Sequence, residues 1–282
     1  MKRLFLFVIC LTAIRVQAQD MKLWYSQPAK NWTEALPIGC SNMGAMVFGG
    51  IEKEEIQLNE ETFWSGGPHN NDRPDAKEHL KEIQQLIFDG KNKEAQDLCD
   101  KYFFAGKNGM RFLSMGSLFI DFGSLSNVSN YRRELDISHA VATTSFQADG
   151  ISFERSAIAS LMDKVVEIHL KASKKGALHF TLSHQTPHTA NVRMDGEQMV
   201  VVCDGVEQEG VPAALKAEIR VAIKTNGKLL TNGSLGVENA SEATIYVSAA
   251  TNFVNYSQVN GDATAKNKKA LQNAMQKNFK KA

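Results

Sequence analysis

The eleven-residue segment 59–69 carries the side chains with the most evident chemistry in this sequence. It reads Asn-Glu-Glu-Thr-Phe-Trp-Ser-Gly-Gly-Pro-His. The indole of Trp64 could stack on the apolar face of a sugar ring, and Asn59, Glu60 and His69 could hydrogen-bond hydroxyl groups. The alternative is that these four side chains anchor the domain to a neighbouring domain. We favour the anchor.

Outside segment 59–69, the sequence gives little indication of catalytic residues or metal ligands. Acidic residues occur as neighbours, as in Glu54-Glu55, but adjacent residues of a strand point to opposite faces and do not form a catalytic pair. His184 and His188 have a spacing that could bind zinc on a helix, but Pro187 lies between them and the neighbouring run is β-like. We therefore expect no metal site and no cofactor in this chain.

The elements that must position segment 59–69 are mainly strands. Two β-like runs, 44–50 and 55–58, precede a loop rich in Gly, Pro and Asn. Two helical patterns, over about 74–89 and 92–104, then read as an inserted helical hairpin.

From Arg111 to Asn252 short runs rich in Val, Ile, Phe and Thr alternate with turns. Asp149-Gly150, Asp195-Gly196 and Asn226-Gly227 are strong hairpin signals. Many strands without alternating helices predict a large antiparallel two-sheet β-sandwich.

The tail changes to a Lys- and Ala-rich helical pattern. Ala270, Leu271, Ala274 and Met275 repeat at helical spacing. We predict a C-terminal helix over residues 263–282. We also expect its apolar face to be exposed, as part of one patch with the 59–69 loop.

The first eighteen residues resemble a cleavable signal peptide. Lys2-Arg3 precede the apolar run 4–14, and Val16-Gln17-Ala18 suits a cleavage site. The alternatives are a buried N-terminal helix or a lipoprotein anchor at Cys10, but the bulky residues before Cys10 do not suit lipoprotein processing. The predicted location is secreted or periplasmic.

The rest of the composition is that of an ordinary globular protein. The formal net charge of +1 gives no basic excess for nucleic acid, and no second apolar run reaches membrane length. We therefore predict no nucleic-acid partner and, after signal removal, no membrane association. Cys40, Cys99 and Cys203 cannot all pair, and we expect them to act as small buried hydrophobes. The alternative is that two of the three form one bridge, which the sequence does not identify.

Three stretches resemble glycoside hydrolase family 95. Residues 36–68 read LPIGCSNMGAMVFGGIEKEEIQLNEETFWSGGP, residues 113–136 read LSMGSLFIDFGSLSNVSNYRRELD, and residues 244–252 read TIYVSAATN. The first is similar to the family pattern LPxGNGxxGAMVxGG…LNExTxWSGGP. The chain departs from that pattern at Cys40-Ser41, and from the second at 114–116.

This resemblance implies the N-terminal β-sandwich, over 19–260, of an inverting α-L-fucosidase-type enzyme. In that family a helical linker follows, which would start within 261–282, and then an (α/α)6 barrel that carries the catalytic residues. The implied partners are this downstream barrel of the same polypeptide and, as family substrate, a fucosylated glycan. The chain alone would then be inactive.

Two other functions remain open at this point. The chain could be a free-standing carbohydrate-binding or assembly module, which the coding sequence beyond codon 282 would distinguish from a truncated enzyme. A glycoside phosphorylase has a related layout of sandwich and barrel, but the LNExTxWSGGP pattern argues against it.

Overall fold

The computed structural model describes residues 21–104 and 109–277. The predicted signal peptide, residues 1–18, lies outside the described residues. Sixteen strands occur in the described part of the chain, in the order β1 (Lys22–Tyr25), β2 (Leu36–Gly39), β3 (Met43–Val47), β4 (Lys53–Glu60), β5 (Gly116–Asp121), β6 (Ser129–Asp136), β7 (Val141–Ala148), β8 (Ile151–Ser160), β9 (Val165–Ala172), β10 (Leu178–Gln185), β11 (Ala190–Asp195), β12 (Gln198–Asp204), β13 (Lys216–Thr225), β14 (Lys228–Leu230), β15 (Gly236–Ala240) and β16 (Glu242–Thr251).

The strands form two antiparallel sheets that face each other, which confirms the predicted β-sandwich. One sheet has nine strands in the order β1-β6-β7-β8-β9-β16-β13-β12-β11, and the other has seven in the order β14-β15-β10-β5-β4-β3-β2. A single large apolar core lies between them, with Leu58, Leu118, Val201 and Ile245 fully buried.

Strand β4 illustrates how the pleat sorts side chains between core and surface. Glu54, Ile56, Leu58 and Glu60 are buried, whereas the residues between them are partly exposed. Since successive side chains alternate between faces, Asn59 and Glu60 point to opposite sides of the sheet. The sheet therefore separates two of the four predicted site residues.

The predicted hairpin turns are confirmed at two of three places. Asp149-Gly150 joins the paired strands β7 and β8, and Asp195-Gly196 joins β11 and β12. The expectation of a hairpin at Asn226-Gly227 was wrong, because this turn leads from β13 in the nine-stranded sheet to β14 in the seven-stranded sheet. A two-residue turn signal fixes a local reversal of the chain but not the sheet that receives the next strand.

The predicted helical hairpin lies between β4 and β5. It consists of α1 (Ala76–Phe88) and α2 (Asn92–Tyr102). Gly90 ends the first helix with a φ of +75°, a left-handed conformation that glycine adopts without steric cost. Ile83 of α1 and Ala95 of α2 are buried.

Helix α3 (Ala263–Met275) lies on the outer face of the nine-stranded sheet, over β13, β16 and β9. The expectation that its apolar face is exposed was wrong. Leu271 and Ala274 are each 1% exposed and pack on Val165, Ala222 and Tyr246. The outward face of β9, β13 and β16 offers these apolar side chains, and burying the helix there removes its apolar surface from water.

A buried polar contact also fixes the helix on the sheet. Asn267 is fully buried, accepts a hydrogen bond from Ser248 Oγ at 2.8 Å, and donates to the Glu218 carbonyl at 2.8 Å. Buried amides that are paired in this way favour a single docked position.

The three cysteines of the described residues are free thiols. Cys203 is fully buried, as expected, whereas Cys40 and Cys99 are partly buried.

No helix in the described ranges is long and apolar enough to cross a membrane.

Candidate functional site: a cleft at one end of the sandwich

A cleft of about 760 Å³ opens where β4 ends, and we call it the end cleft. Its walls are the loop 61–71, the segment 109–110, Leu215 and the loop 253–259 that follows β16. Ring side chains dominate it: Trp64, His69, Phe253 and Tyr256. Concave surfaces that combine aromatic rings with a few polar groups are typical binding sites for ligands or partner segments.

Gly66 lets the loop 61–71 pack closely on its neighbours. Gly66 has a φ of +66°, and a Cβ on it would lie 2.6 Å from Met110 Sδ. Its amide donates to the Val206 carbonyl at 2.8 Å, and its carbonyl accepts from the Ala214 amide at 2.9 Å. A side chain at position 66 would therefore move the wall of the cleft.

Ser65 joins three separate segments beneath the cleft. Its hydroxyl donates to Gln208 Oε1 at 2.6 Å and accepts from the Arg111 amide at 2.8 Å. Gln208 Nε2 in turn donates to the Gly109 carbonyl at 3.2 Å. These bonds preorganise the loop, so that little ordering entropy remains to be lost on binding.

Trp64 is held in one orientation but stays 41% exposed. Its indole N–H donates to the Glu61 carbonyl at 2.8 Å, and its ring meets the Phe112 ring edge-on at 5.3 Å between centroids. The preceding Phe63 is fully buried and holds this part of the loop against the apolar core. The exposed part of the indole is thus a rigid apolar surface in the cleft.

His69 offers a hydrogen-bond acceptor in the same cleft. Its Nδ1 lies 2.7 Å from the Gly67 carbonyl, which can only accept, so Nδ1 carries the proton. The other nitrogen, Nε2, is buried and has no hydrogen-bond partner among the described residues. A ligand or partner hydroxyl could donate to it.

Asn59 and Glu60, the other two predicted residues, are outside the lining of the end cleft. Glu60 is 6% exposed and accepts from both the amide and the hydroxyl of Thr62 at 2.8 Å. Burial raises the pKa of this carboxyl, which the bonds from Thr62 partly oppose. Thr62 also contacts the hydroxyl of Thr251, so Glu60 ties the base of the loop to β16.

Sequence reasoning missed the second wall of the cleft. Phe253 and Tyr256 follow β16, and Tyr256 is 89% exposed. Asn252 holds this loop, because its amide group donates to the carbonyls of Ala214 at 3.0 Å and Val259 at 2.7 Å. Aromatic residues placed directly after a strand end were the signal that could have revealed it.

The carboxyl groups in the cleft decide which chemistry is available. Among the described residues that line it, Glu61 carries the only carboxylate. Inverting glycoside hydrolysis needs two carboxyl groups roughly 6.5–9.5 Å apart. The cleft therefore has binding groups but lacks an acid–base pair of its own.

The two histidines that were considered as zinc ligands lie behind the loop. His184 belongs to strand β10, as its sequence context predicts, and His188 contacts Phe63 edge-on at 5.5 Å between ring centroids. Burial lowers the pKa of His184 to about 4. This imidazole is therefore neutral near pH 7.

Comparison with solved structures first defines the class of fold. A structure assigned as a kojibiose phosphorylase from the human microbiome matches with a TM-score of 0.51 and 10% identity, covering 93% of this chain and 36% of that chain. At this identity the match shows the large two-sheet sandwich alone.

The family follows from the sequence. Residues 23–256 match the family described as glycosyl hydrolase family 65, N-terminal domain, and the chain belongs to that family. It is 28% identical over 262 residues to alpha-L-fucosidase 2 of Arabidopsis thaliana, with 84% of this chain and 31% of the relative covered. It is 26% identical over 272 residues to a probable alpha-fucosidase A of Aspergillus niger, with 91% and 33% covered. The chain thus spans about a third of the length of these curated relatives.

Proposed function

We propose that this chain is the non-catalytic N-terminal β-sandwich of a secreted, α-L-fucosidase-like glycoside hydrolase of the family 95 type, which acts in glycan degradation. Support comes from the two α-fucosidase relatives and from the long motif at 36–68. The observation that carries the non-catalytic role is the end cleft, whose described lining has rigid aromatic walls and one carboxylate, that of Glu61.

We further propose that the end cleft is the surface on which the catalytic region of the same polypeptide rests. The relatives are about three times as long as this chain, so a catalytic barrel has room to follow. Trp64 and Tyr256 expose apolar surface there, and burying a large apolar side chain contributes about 1.5–3 kcal/mol. Helix α3, already docked on the sheet, would start the linker to that region.

The substitution Trp64→Ala tests this role. Without a covering partner, the exposed rings should make the chain self-associate, and the truncation should reduce that association by removing apolar contact area. Sedimentation velocity over a concentration series measures it. Trp32→Ala is the matched control, because Trp32 is 56% exposed away from the cleft.

The alternative function, a glycan-binding module, is favoured by the exposed rings and by the buried acceptor on His69. It predicts a monomeric chain that binds a fucosylated oligosaccharide at sub-millimolar concentration in calorimetry. Loss of that heat of binding in Trp64→Ala, but not in Trp32→Ala, would show that Trp64 binds a sugar and does not anchor the catalytic region.

Export is the remaining part of the proposal. Cleavage after Ala18 would leave Gln19 at the N-terminus, as the signal-like pattern of residues 1–18 suggests. N-terminal sequencing of the native protein is expected to start at Gln19. Recovery of Met1 or Lys2 would contradict export.

A further inference from the structure

The end cleft presents a negative charge without a cation beside it. Among the described residues that line it, Glu61 supplies a carboxylate, and neither lysine nor arginine occurs. Lys164 and Lys266 line a separate, smaller pocket that shares Glu61 with the cleft. Lys266 Nζ is held there by the carbonyl of Phe253 at 2.9 Å, and the Glu61 carboxylate forms no ion pair among the described residues. The charge of Glu61 is thus available to a partner.

Most side-chain hydrogen-bond donors of the end cleft are already used within the chain. Four of them donate to acceptors of the chain itself, namely Thr62, Trp64, Ser65 and His69. In the described lining, Asn71 and Tyr256 keep side-chain donors, and both residues are exposed. The cleft therefore offers few donors to a ligand.

The acceptors of the end cleft are, in contrast, open. The buried Nε2 of His69 and the carboxylate of Glu61 have no hydrogen-bond donor among the described residues. A buried acceptor without a partner costs free energy, which a donor from the occupant would recover. The cleft therefore fits a group that has many donors, no acceptor and a positive charge.

An arginine side chain meets these requirements. Its guanidinium is always charged and carries five N–H donors and no acceptor. Its plane also packs on aromatic faces, which Trp64 and Tyr256 offer, since they are 41% and 89% exposed. Lysine would supply the charge, but its ammonium has no plane to stack on the rings.

We propose that the end cleft binds an arginine side chain of the catalytic region, stacked on Trp64 and donating to Glu61 and to Nε2 of His69. This inference rests on the role proposed above for the end cleft and names the chemistry of the group that enters it. Charge complementarity selects this occupant, because the cleft combines a carboxylate and an open acceptor with rigid rings.

A sugar is the less suitable occupant of the end cleft. Each sugar hydroxyl both donates and accepts, so a bound sugar needs donors from the protein as well as acceptors. The donors nearest to the exposed indole are spent, because the Trp64 N–H binds the Glu61 carbonyl and the Ser65 hydroxyl binds Gln208.

Two small probes test the proposal on the full chain. N-acetyl-arginine amide carries the guanidinium, and N-acetyl-citrulline amide replaces it with a neutral urea of similar shape. NMR titration that follows the backbone amides of residues 61–71 measures both affinities. We expect the arginine probe to bind about tenfold more tightly, because its hydrogen bonds to a carboxylate are charge-assisted.

Variants assign this preference to the cleft. Glu61→Gln should remove most of the preference for arginine over citrulline, whereas Glu197→Gln, at an exposed glutamate outside the cleft, should keep it. Trp64→Ala should weaken binding of both probes, because both stack on the indole, and Trp32→Ala should not. Unchanged circular dichroism and thermal unfolding of Glu61→Gln ensure that the lost preference reports the charge.

Three results would overturn the proposal. The first is that the arginine probe does not bind, and the second is that citrulline binds equally well. If Trp64→Ala still lowers self-association in either case, the cleft remains the resting surface of the catalytic region and only the arginine is wrong. The third is a monomeric chain that binds a fucosylated oligosaccharide through Trp64, which would remove the proposed role of the cleft together with the arginine.

Discussion

Glu54 and Arg155 form an ion pair inside the sandwich, between β4 and β8. Their side chains are 3% and 5% exposed, and Glu54 Oε2 lies 3.8 Å from Arg155 Nη1. Burial raises the pKa of Glu54 to about 7, although Arg155 and the Gly49 amide, which donates to Glu54 Oε1 at 2.7 Å, act in the opposite direction. Arg155 also donates to the carbonyls of Gly50 and Ile51, which holds the turn between β3 and β4.

Because this acid has a higher pKa in the folded than in the unfolded chain, it stabilises the fold below about pH 4.5 and loses that contribution as the pH rises through about 7. Glu54→Gln should remove this part of the pH dependence. Urea unfolding at pH 5, 6, 7 and 8 should therefore show a smaller fall of unfolding free energy with pH than in the unsubstituted chain. Glu55→Gln, on the other face of the same strand, is the control. Parallel profiles for the chain and Glu54→Gln would refute the assignment.

The sequence predicted which single side chains line the cleft less well than it predicted the strands and helices. The rare segment 59–69 led to Trp64 and His69, which line the end cleft. It also suggested Glu60, whose partners Thr62 and Thr251 lie at the base of the loop. The face that a side chain takes at a strand end depends on the register of the strand, and no local pattern reveals which distant loop completes a cleft.

Among the elements, α3 is the one whose packing departs most from expectation. Its helical pattern was evident, with Leu271 and Ala274 on one face. Its docking depends on apolar residues on the outward face of β13 and β16. The sequence of a strand that is buried on both faces does not reveal which element covers either face. The strands and the helical hairpin were predictable because hydrophobic alternation and turn residues agree locally.

Leu271→Ala measures how much this docking stabilises the domain. Leu271 is 1% exposed, so its truncation should lower the unfolding free energy by about 2–5 kcal/mol, or release the helix locally. Denaturant unfolding together with amide hydrogen exchange of residues 263–275 separates these two effects. Leu80→Ala, at a position on α1 that is 43% exposed, should cost far less. Equal losses in the two variants would mean that α3 is not held by its apolar face.

At the scale of the whole molecule, both sheets contribute to the end cleft. It lies where β4 of the seven-stranded sheet and β16 of the nine-stranded sheet end. Hydrogen bonds through Ser65 preorganise its loop. In the proposed enzyme this cleft would carry the catalytic region.

The proposed non-catalytic role predicts that this chain alone does not hydrolyse an α-L-fucoside. The most direct measurement is release of 4-nitrophenol from 4-nitrophenyl α-L-fucoside by the purified chain. We expect no turnover above a buffer control, because the described residues that line the end cleft offer one carboxylate where inversion needs two. Turnover that is retained in independent preparations and lost in Glu61→Gln would contradict the account.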